Sequence, residues 1–488
     1  MTYDSIAIEQ IDNVYLKIHC EKSVAMEISD HFTFNVPGAR FTPAFKNKIW
    51  DGKIRLFNLA NHTIYRGLLE SIKQFCEQRE YTIEYNSDFS ADSFSIEEAK
   101  DFIETLNLPN HLELRDYQIK SFTHCIRSKR AVVISPTASG KSLIIYFIAR
   151  LYNTKTLIIV PTTGLVHQLY SDFIDYGIDE NMVHKVFSGQ DKDTDKQIVI
   201  TTWQSIYTLK KPWFEQYNVV IGDECHHFKA TSLTSIMTKL INAKYRFGFT
   251  GSLDGSLTNE LVLVGLFGPK MQVTTTSELI ENKYLSPFRI KALVLSYDDD
   301  TRKMCAKLDY KDELDFIVQC ERRNNFIRNL ALSLNGNTLI LYQFVEKQGK
   351  TLFNKISSKA AQDRKVFFVH GSVDGEQRND IRYIVEQENN AIIVASYGTF
   401  STGVNIKRIH NIIFASPFKS KIRGLQSIGR GLRKGDDKEI ATLFDIADDL
   451  KWKSRVNHTL KHFIQRVDIY NQEKFEYKIY NVKIERIA

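Results

Sequence analysis

The stretch Ser135-Pro136-Thr137-Ala138-Ser139-Gly140-Lys141-Ser142 decides how the rest of this 488-residue chain is read. It lies between a short apolar run, 131–135, and a segment, 141–152, that is apolar nearly all round. A buried strand, a small-residue turn and a packed helix, in that order, are the setting in which a phosphate-binding loop has meaning. Small side chains let backbone N–H groups turn inward and surround phosphate oxygens. Pro136, Thr137, Ala138, Ser139 and Gly140 are the expected cradle. Lys141 is placed to neutralise the outer phosphates of ATP, and the Ser142 hydroxyl to ligate Mg²⁺. The first glycine of the pattern is replaced by Ser135, while Gly140, Lys141 and Ser142 are kept. The bland alternative is a chance turn carrying a lysine, and the residues downstream decide against it.

Working outward, 156–160, 197–201, 218–221 and 246–250 are further near-continuous apolar runs. Such runs suit strands covered on both faces of a parallel sheet. Directly after the third stands Asp223-Glu224-Cys225-His226. Carboxylates at the C-terminal end of a strand face the ligand crevice of an open α/β sheet. Asp223 is expected to hold Mg²⁺, and Glu224 to orient and deprotonate the attacking water. Cys225, His226 and His227 invite a metal-site reading, but three adjacent residues cannot all point at one ion.

A second strand–helix series follows, with strand-like runs at 338–342, 365–369, 391–395, 411–415 and 440–444. Within it, Gln426-Ser-Ile-Gly429-Arg430-Gly431-Leu-Arg433 sets two arginines three residues apart, on one helical face. The fixed guanidinium fork can meet phosphate oxygens in two places. An arginine brought to the γ-phosphate from a second lobe makes hydrolysis depend on closure, a gain on the order of 10³ to 10⁵ in rate. A solvated basic helix is the alternative for this stretch taken alone.

The expected organisation is therefore an α/β chain in four parts: a small α+β front domain (1–108), a nucleotide-binding lobe (109–282), a second lobe (283–450) and a short basic extension (451–488). Ser95 and Glu98 predict a capped helix just before the first boundary. Bulk properties agree with a globular, multidomain chain: 43% hydrophobic, 25% charged, net charge +7. That mild positive charge tolerates a polyanion without demanding one. Cys20, Cys76, Cys125, Cys225, Cys305 and Cys320 are far apart, which excludes a closed zinc motif and fits a reducing cytoplasm. No apolar run approaches the ~18 residues of a membrane span.

With these residues in hand, the chain resembles superfamily 2 helicases and translocases from about Glu113 to Asp449. The resemblance implies two tandem RecA-like lobes closing on ATP. It assigns Arg115 and Gln118 to adenine recognition. Pro161, Thr162, Thr201, Thr202, Trp203 and Gln204 would grip a nucleic-acid backbone. His226, Thr250, Gly251 and Ser252 would couple that grip to the nucleotide. Gly403, Asn405, Gln426, Arg430 and Arg433 would be the second lobe's contribution, with His226 pairing with Gln426. Many relatives carry Asp where Asn405 stands, and Asn can still bond a ribose hydroxyl. The chain is more closely similar to the phage UvsW helicase family, a likeness that reaches the front domain in 41–56 and includes 395–403 and 419–422. Such relatives act on branched or forked DNA and on RNA–DNA hybrids, in the cytoplasm of the bacterial host and without a membrane. A monomer is expected.

The segment 40–55 carries Arg40, Lys46, Lys48, Lys53 and Arg55 against one acid, Asp51, with Phe41, Phe45 and Trp50 interleaved. Cations can neutralise phosphates while rings stack on bases. Equally, the rings can be the core of a small domain whose lysines face water. Two rivals remain at this point. One is an RNA helicase or a restriction-system motor; the other is a nucleic-acid-binding protein that no longer hydrolyses ATP.

Overall fold

The computed structural model describes residues 5–36, 38–187, 189–227, 230–251, 257–371, 373, 375–399, 408–418 and 440–484. They form two compact units that divide between Val273 and Thr274, with the loop 136–139 set apart from the first.

The first unit opens with a mixed five-stranded sheet, in the order Phe57–Asn58, Thr63–Tyr65, Tyr15–His19, Ser5–Gln10, Thr82–Tyr85. Period-two alternation puts Ile6, Ile8, Leu16 and Ile18 on its covered face, where Ile28 of the helix Lys22–His31, Phe32 directly after it and Phe75 of Leu69–Gln78 complete a core. The rings of Phe41 and Phe45 are not part of that core: both are exposed. The basic segment instead forms an excursion from a two-stranded hairpin, Thr33–Asn35 with Lys53–Arg55.

Next comes an all-parallel seven-stranded sheet. Its spatial order is Val183–Val186, Ile198–Thr202, Thr156–Val160, Val219–Gly222, Tyr245–Thr250, Arg130–Ile134, Lys270–Gln272. The helix Lys141–Tyr152 packs on it through Leu143, Ile144, Phe147 and Ile148. The front domain docks on this lobe without intervening side chains at one point. A Cβ on Gly67 would fall 2.0 Å from the Val264 carbonyl oxygen, so only glycine allows this approach to the helix Leu257–Leu266. Arg130 and Asn13 tie the same interface, the guanidinium donating to the Asn13 carbonyl at 2.8 Å.

The second unit has its own all-parallel seven-stranded sheet: Val366–Val369, Ile392–Ser396, Thr338–Tyr342, Asn411–Phe414, Ala441–Asp449, Phe288–Ser296, Glu476–Lys483. Two α/β parallel-sheet lobes behind an α+β front domain are the architecture expected from the sequence. The basic tail belongs to the second sheet. Its helix His458–Gln472 lies against the strand Ala441–Asp449, and its last strand forms the sheet's edge.

That helix is pinned by charge in a dry place. Arg466 grips Asp445 with two bonds, of 2.9 and 2.8 Å, and Tyr470 donates to the same carboxylate at 2.8 Å. All three are buried. Removing one partner of a buried pair strands the other charge, at a cost of about 3–5 kcal/mol. Arg466→Met is therefore expected to destabilise the second unit by that amount, read from its denaturant midpoint. The double change Asp445→Leu with Arg466→Met should recover most of the loss. A single variant with unaltered stability would show that the pair is dispensable.

Candidate functional site

Three strands of the first lobe end side by side and deliver the candidate residues to one crevice. Arg130–Ile134 runs into the Ser135–Ser142 loop, Val219–Gly222 into Asp223-Glu224, and Tyr245–Thr250 ends at Thr250. Backbone bonds set the spacing: Ser135 N–H donates to the Thr250 carbonyl at 2.9 Å, and Asp223 N–H to the Ile159 carbonyl at 2.9 Å.

The loop turns through left-handed residues at Ala138 (φ 67°) and Gly140 (φ 80°) before Lys141 starts the helix. The left-handed conformation favours glycine at 140, and a Cβ there, 2.3 Å from Gln118 Nε2, would displace the Gln118 amide. Gln118 is buried, donates to the Gly140 carbonyl at 3.4 Å and accepts from Arg115 N–H at 3.0 Å. Arg115 in turn donates to the Tyr117 hydroxyl at 2.7 Å. The expected adenine-reading pair thus abuts the phosphate loop directly.

Lys141 Nζ stands 3.4 Å from Glu224 Oε1 and donates to the Ser135 carbonyl at 3.2 Å. Both side chains are largely enclosed, at 11% and 16% exposure, so their attraction is little screened. Burial, then the adjacent Glu224 carboxylate, push Asp223 above the usual carboxylate range against the pull of Lys141. Burial alone would raise Glu224 too, but Lys141, His226, His227 and the Gly251 amide more than offset it and hold it low. His226 Nδ1 lies 2.5 Å from the Thr250 hydroxyl and 3.5 Å from Glu224 Oε2, and Gly251 N–H donates to Glu224 at 3.4 Å. Two of the expected coupling residues therefore contact the carboxylate that the sequence assigns to water activation.

Ser142 Oγ is 2.7 Å from the Tyr176 hydroxyl, a partner no motif announces. Ser142 and Asp223 offer hard oxygen donors beside one further acid, Glu224, and one lysine, Lys141, a donor set that fits Mg²⁺.

A separate groove of about 640 Å³ is lined by Pro161, Thr162, Thr163, Thr202, Gln204, Ser205 and Lys192. Gln204 Nε2 donates to the Pro161 carbonyl at 3.3 Å, and the Thr202 and Ser205 hydroxyls are 2.8 Å apart. Four of the six expected backbone-gripping residues thus line one groove. Thr201 is fully buried, and Trp203 packs against the lobe's core. Lys192 adds a cation that no motif contained. Lys46, Lys48, Lys53 and Arg55 are exposed on the front-domain hairpin. Ser252, Gly403, Asn405, Gln426, Arg430 and Arg433 lie outside the described residues. No helix among the described residues is long and apolar enough to cross a membrane.

A P-loop, an Asp-Glu-Cys-His turn and a Thr-Gly turn on a parallel sheet, followed by a second such sheet, define a helicase-type ATPase with RecA-like lobes. Family models agree along the chain: "DNA helicase UvsW, N-terminal" over residues 5–86, "Type III restriction enzyme, res subunit" over 111–254, and "Helicase conserved C-terminal domain" over 321–435. The ATP-dependent DNA helicase uvsW of Enterobacteria phage T4 is 35% identical, covering 97% of this chain and 98% of that protein. The crystal structure of T4 UvsW matches with a TM-score of 0.53 at 34% identity, over 99% of this chain and all (100%) of that one. The DNA 3'-5' translocase XPB2 of Sulfurisphaera tokodaii is 26% identical over 71% of this chain and 85% of its own length. The chain belongs to the UvsW family of phage ATP-dependent DNA helicases.

Proposed function

We propose that this protein is an ATP-dependent DNA helicase and translocase that works on branched DNA. The observation that supports this reading best is the enclosed Lys141–Glu224 pair, with Gly251 and His226 against the same carboxylate and Thr250 bonded to His226.

In this reading, the 135–142 loop cradles the phosphates of ATP, and Arg115 and Gln118 read its base. Mg²⁺, held by Ser142 and Asp223, would shield phosphate charge. Glu224 orients the attacking water and takes its proton. Arg430 and Arg433, with Gln426, come from the second lobe and stabilise the γ-phosphoryl charge, and Gly403 and Asn405 hold the ribose. Thr250 and Gly251, with Ser252, pass the state of Glu224 to the Pro161–Gln204 groove, which grips the DNA backbone. Alternating closure and release ratchet the lobes along the strand, and the front domain selects branch points.

Strand displacement on matched forks, four-way junctions, RNA–DNA hybrids and unbranched duplex tests the reading. Forked and four-way substrates are expected to be favoured. Changing Lys46, Lys48 and Lys53 together to Ala should weaken fork binding and flatten the slope of log K against log[salt]. The slope should drop by about 0.7–0.9 for each phosphate no longer neutralised. An unchanged slope would remove the front domain from the DNA interface. Unwinding confined to RNA duplexes would replace the whole assignment with that of an RNA helicase.

A further inference from the structure

A serine hydroxyl that ligates a cation through an oxygen lone pair still carries its hydrogen, and that hydrogen needs an acceptor on the side away from the ion. Without one, the hydroxyl rotates to suit its surroundings. Ser142 has an acceptor at hand: the Tyr176 hydroxyl, 2.7 Å from its Oγ and 34 residues along the chain. Tyr176 is only 8% exposed, so water competes weakly for this contact. A phenol oxygen can accept as well as donate, which neither a lysine nor a backbone N–H can do.

Tyr176 is fixed where it stands. It follows the helix Thr163–Asp175, and its N–H bonds the Asp172 carbonyl at 2.9 Å. Gly177 then turns left-handed (φ 92°). Its N–H meets the Ile174 carbonyl at 3.0 Å, and Ile178 N–H meets the Phe173 carbonyl at 3.2 Å, the two bonds of a Schellman ending. Phe173, Tyr176 and Ile178 share one core with Leu143, Tyr146 and Phe147 of the helix that Lys141 starts. The Tyr146 ring stands edge-on to Tyr176, centroids 5.4 Å apart, and its hydroxyl donates to the Tyr176 carbonyl at 3.2 Å. Arg150 donates to the Tyr146 hydroxyl at 2.8 Å. Ring and backbone of Tyr176 are thus held by contacts in which its own hydroxyl takes no part.

We propose that Tyr176 is a positioning residue for the magnesium ion: its hydroxyl accepts from Ser142 and so turns the Ser142 lone pairs toward the crevice that holds Asp223. Mg²⁺ demands near-ideal octahedral geometry, so a ligand oxygen already directed binds it at a lower concentration than one that must first be ordered. Lys141 and the backbone of the 135–142 loop meet the phosphates without this contact, so the affinity for ATP free of metal does not depend on it. The inference rests on the reading of Ser142 as a ligand of the ion, and the test separates the two.

Tyr176→Phe removes the hydroxyl and keeps the ring, so the thermal midpoint should stay near that of the parent. A fluorescent ATP analogue is titrated onto the full chain in EDTA and across a range of Mg²⁺ concentrations. Affinity in EDTA should be unchanged. The Mg²⁺ concentration that gives half of the metal-dependent gain should rise about tenfold, the low end of the roughly 10- to 100-fold carried by partners of metal ligands. In a Ser142→Ala background the same change should add nothing, since the two hydroxyls act through each other. An unchanged Mg²⁺ requirement overturns the proposal. So does a lowered one, which would mean that Tyr176 donates to Ser142 and keeps it from the ion. An equal loss in EDTA, or in the Ser142→Ala background, also overturns it and assigns Tyr176 to the packing of the loop. If Ser142→Ala by itself leaves the Mg²⁺ requirement unaltered, the reading of Ser142 as a ligand falls as well; if it raises the requirement while Tyr176→Phe does not, that reading survives alone. Should Tyr176→Phe fold poorly, 3-fluorotyrosine in place of Tyr176 serves instead. Its fluorine resonance should move when Mg²⁺ joins ATP and stay put with ATP in EDTA, and an equal shift in both would sink the idea.

Discussion

Lys141→Ala is expected to abolish DNA-stimulated ATP hydrolysis while the protein stays folded. Lys141 is the cation that answers the negative charge of the crevice: its ammonium lies 3.4 Å from Glu224, helps to hold that carboxyl low, and opposes the burial and the Glu224 charge that keep Asp223 raised. Its second bond, to the Ser135 carbonyl, fixes the direction in which the side chain leaves the helix. A preorganised group aimed at transition-state charge in an enclosed site is worth on the order of 10² to 10³ in turnover, and on the proposed role Lys141, serving phosphates as well as carboxylates, stands at the upper end. Loss of the cation also leaves two adjacent carboxylates facing each other, so ATP affinity should fall with the rate. The helix Lys141–Tyr152 is held by Leu143, Ile144, Phe147 and Ile148, which the change does not touch, so far-UV circular dichroism should be that of the parent. Phosphate release measured with and without DNA decides the matter. Intact DNA-stimulated turnover in this variant would remove the ATPase assignment.

The candidate nucleotide site is legible in the sequence because the contacts that assemble it are local. A loop of eight residues sets its own backbone path, and Asp223-Glu224 is placed by the single strand before it. The lobes are legible for a related reason: strands buried on both faces are apolar nearly throughout, as Thr156–Val160 and Thr338–Tyr342 are after their first threonine. Where strands break that rule, the apolar pattern does not find them. Phe288–Ser296 begins with Arg289 and Lys291 at an alternating, half-exposed face, and no strand is expected there from the sequence. The strand expected at 440–444 continues to Asp449, because Asp445 and Asp448 enter the core paired with Arg466 and Arg323. Tyr176 reaches Ser142 from 34 residues away, and Lys192 joins the groove from a loop; neither contact leaves a periodic trace. The choice between core and surface for Phe41 and Phe45 is open in the sequence too, since it turns on whether other side chains fill the small core. Ile6, Ile8, Leu16 and Ile18, with Ile28, Phe32 and Phe75, do so.

Glu224→Gln should separate binding from hydrolysis. The substitution keeps the shape and the capacity to accept from Gly251 N–H, now 3.4 Å from Oε2, but removes the charge and the basic lone pair. Its carboxyl is held low because Lys141, His226, His227 and the Gly251 amide together outweigh its burial. It is therefore ionised at neutral pH, and its contribution to turnover should persist as pH falls, failing only once pH drops below the ordinary carboxylate range. General-base assistance of this kind contributes about 10² to 10⁴ in rate, so turnover should fall by that factor. ATP binding should not fall with it. Removing the carboxylate relieves Asp223 of the neighbour that helps push it up, and frees Lys141 to serve phosphate alone. The variant should consequently hold ATP at least as tightly as the parent and remain clamped on forked DNA with ATP present. Fluorescent-nucleotide titration beside single-turnover hydrolysis measures the two quantities separately. A parallel loss of affinity and rate would mean that Glu224 supports the shape of the crevice rather than the attack of water, and the general base would then have to be sought elsewhere.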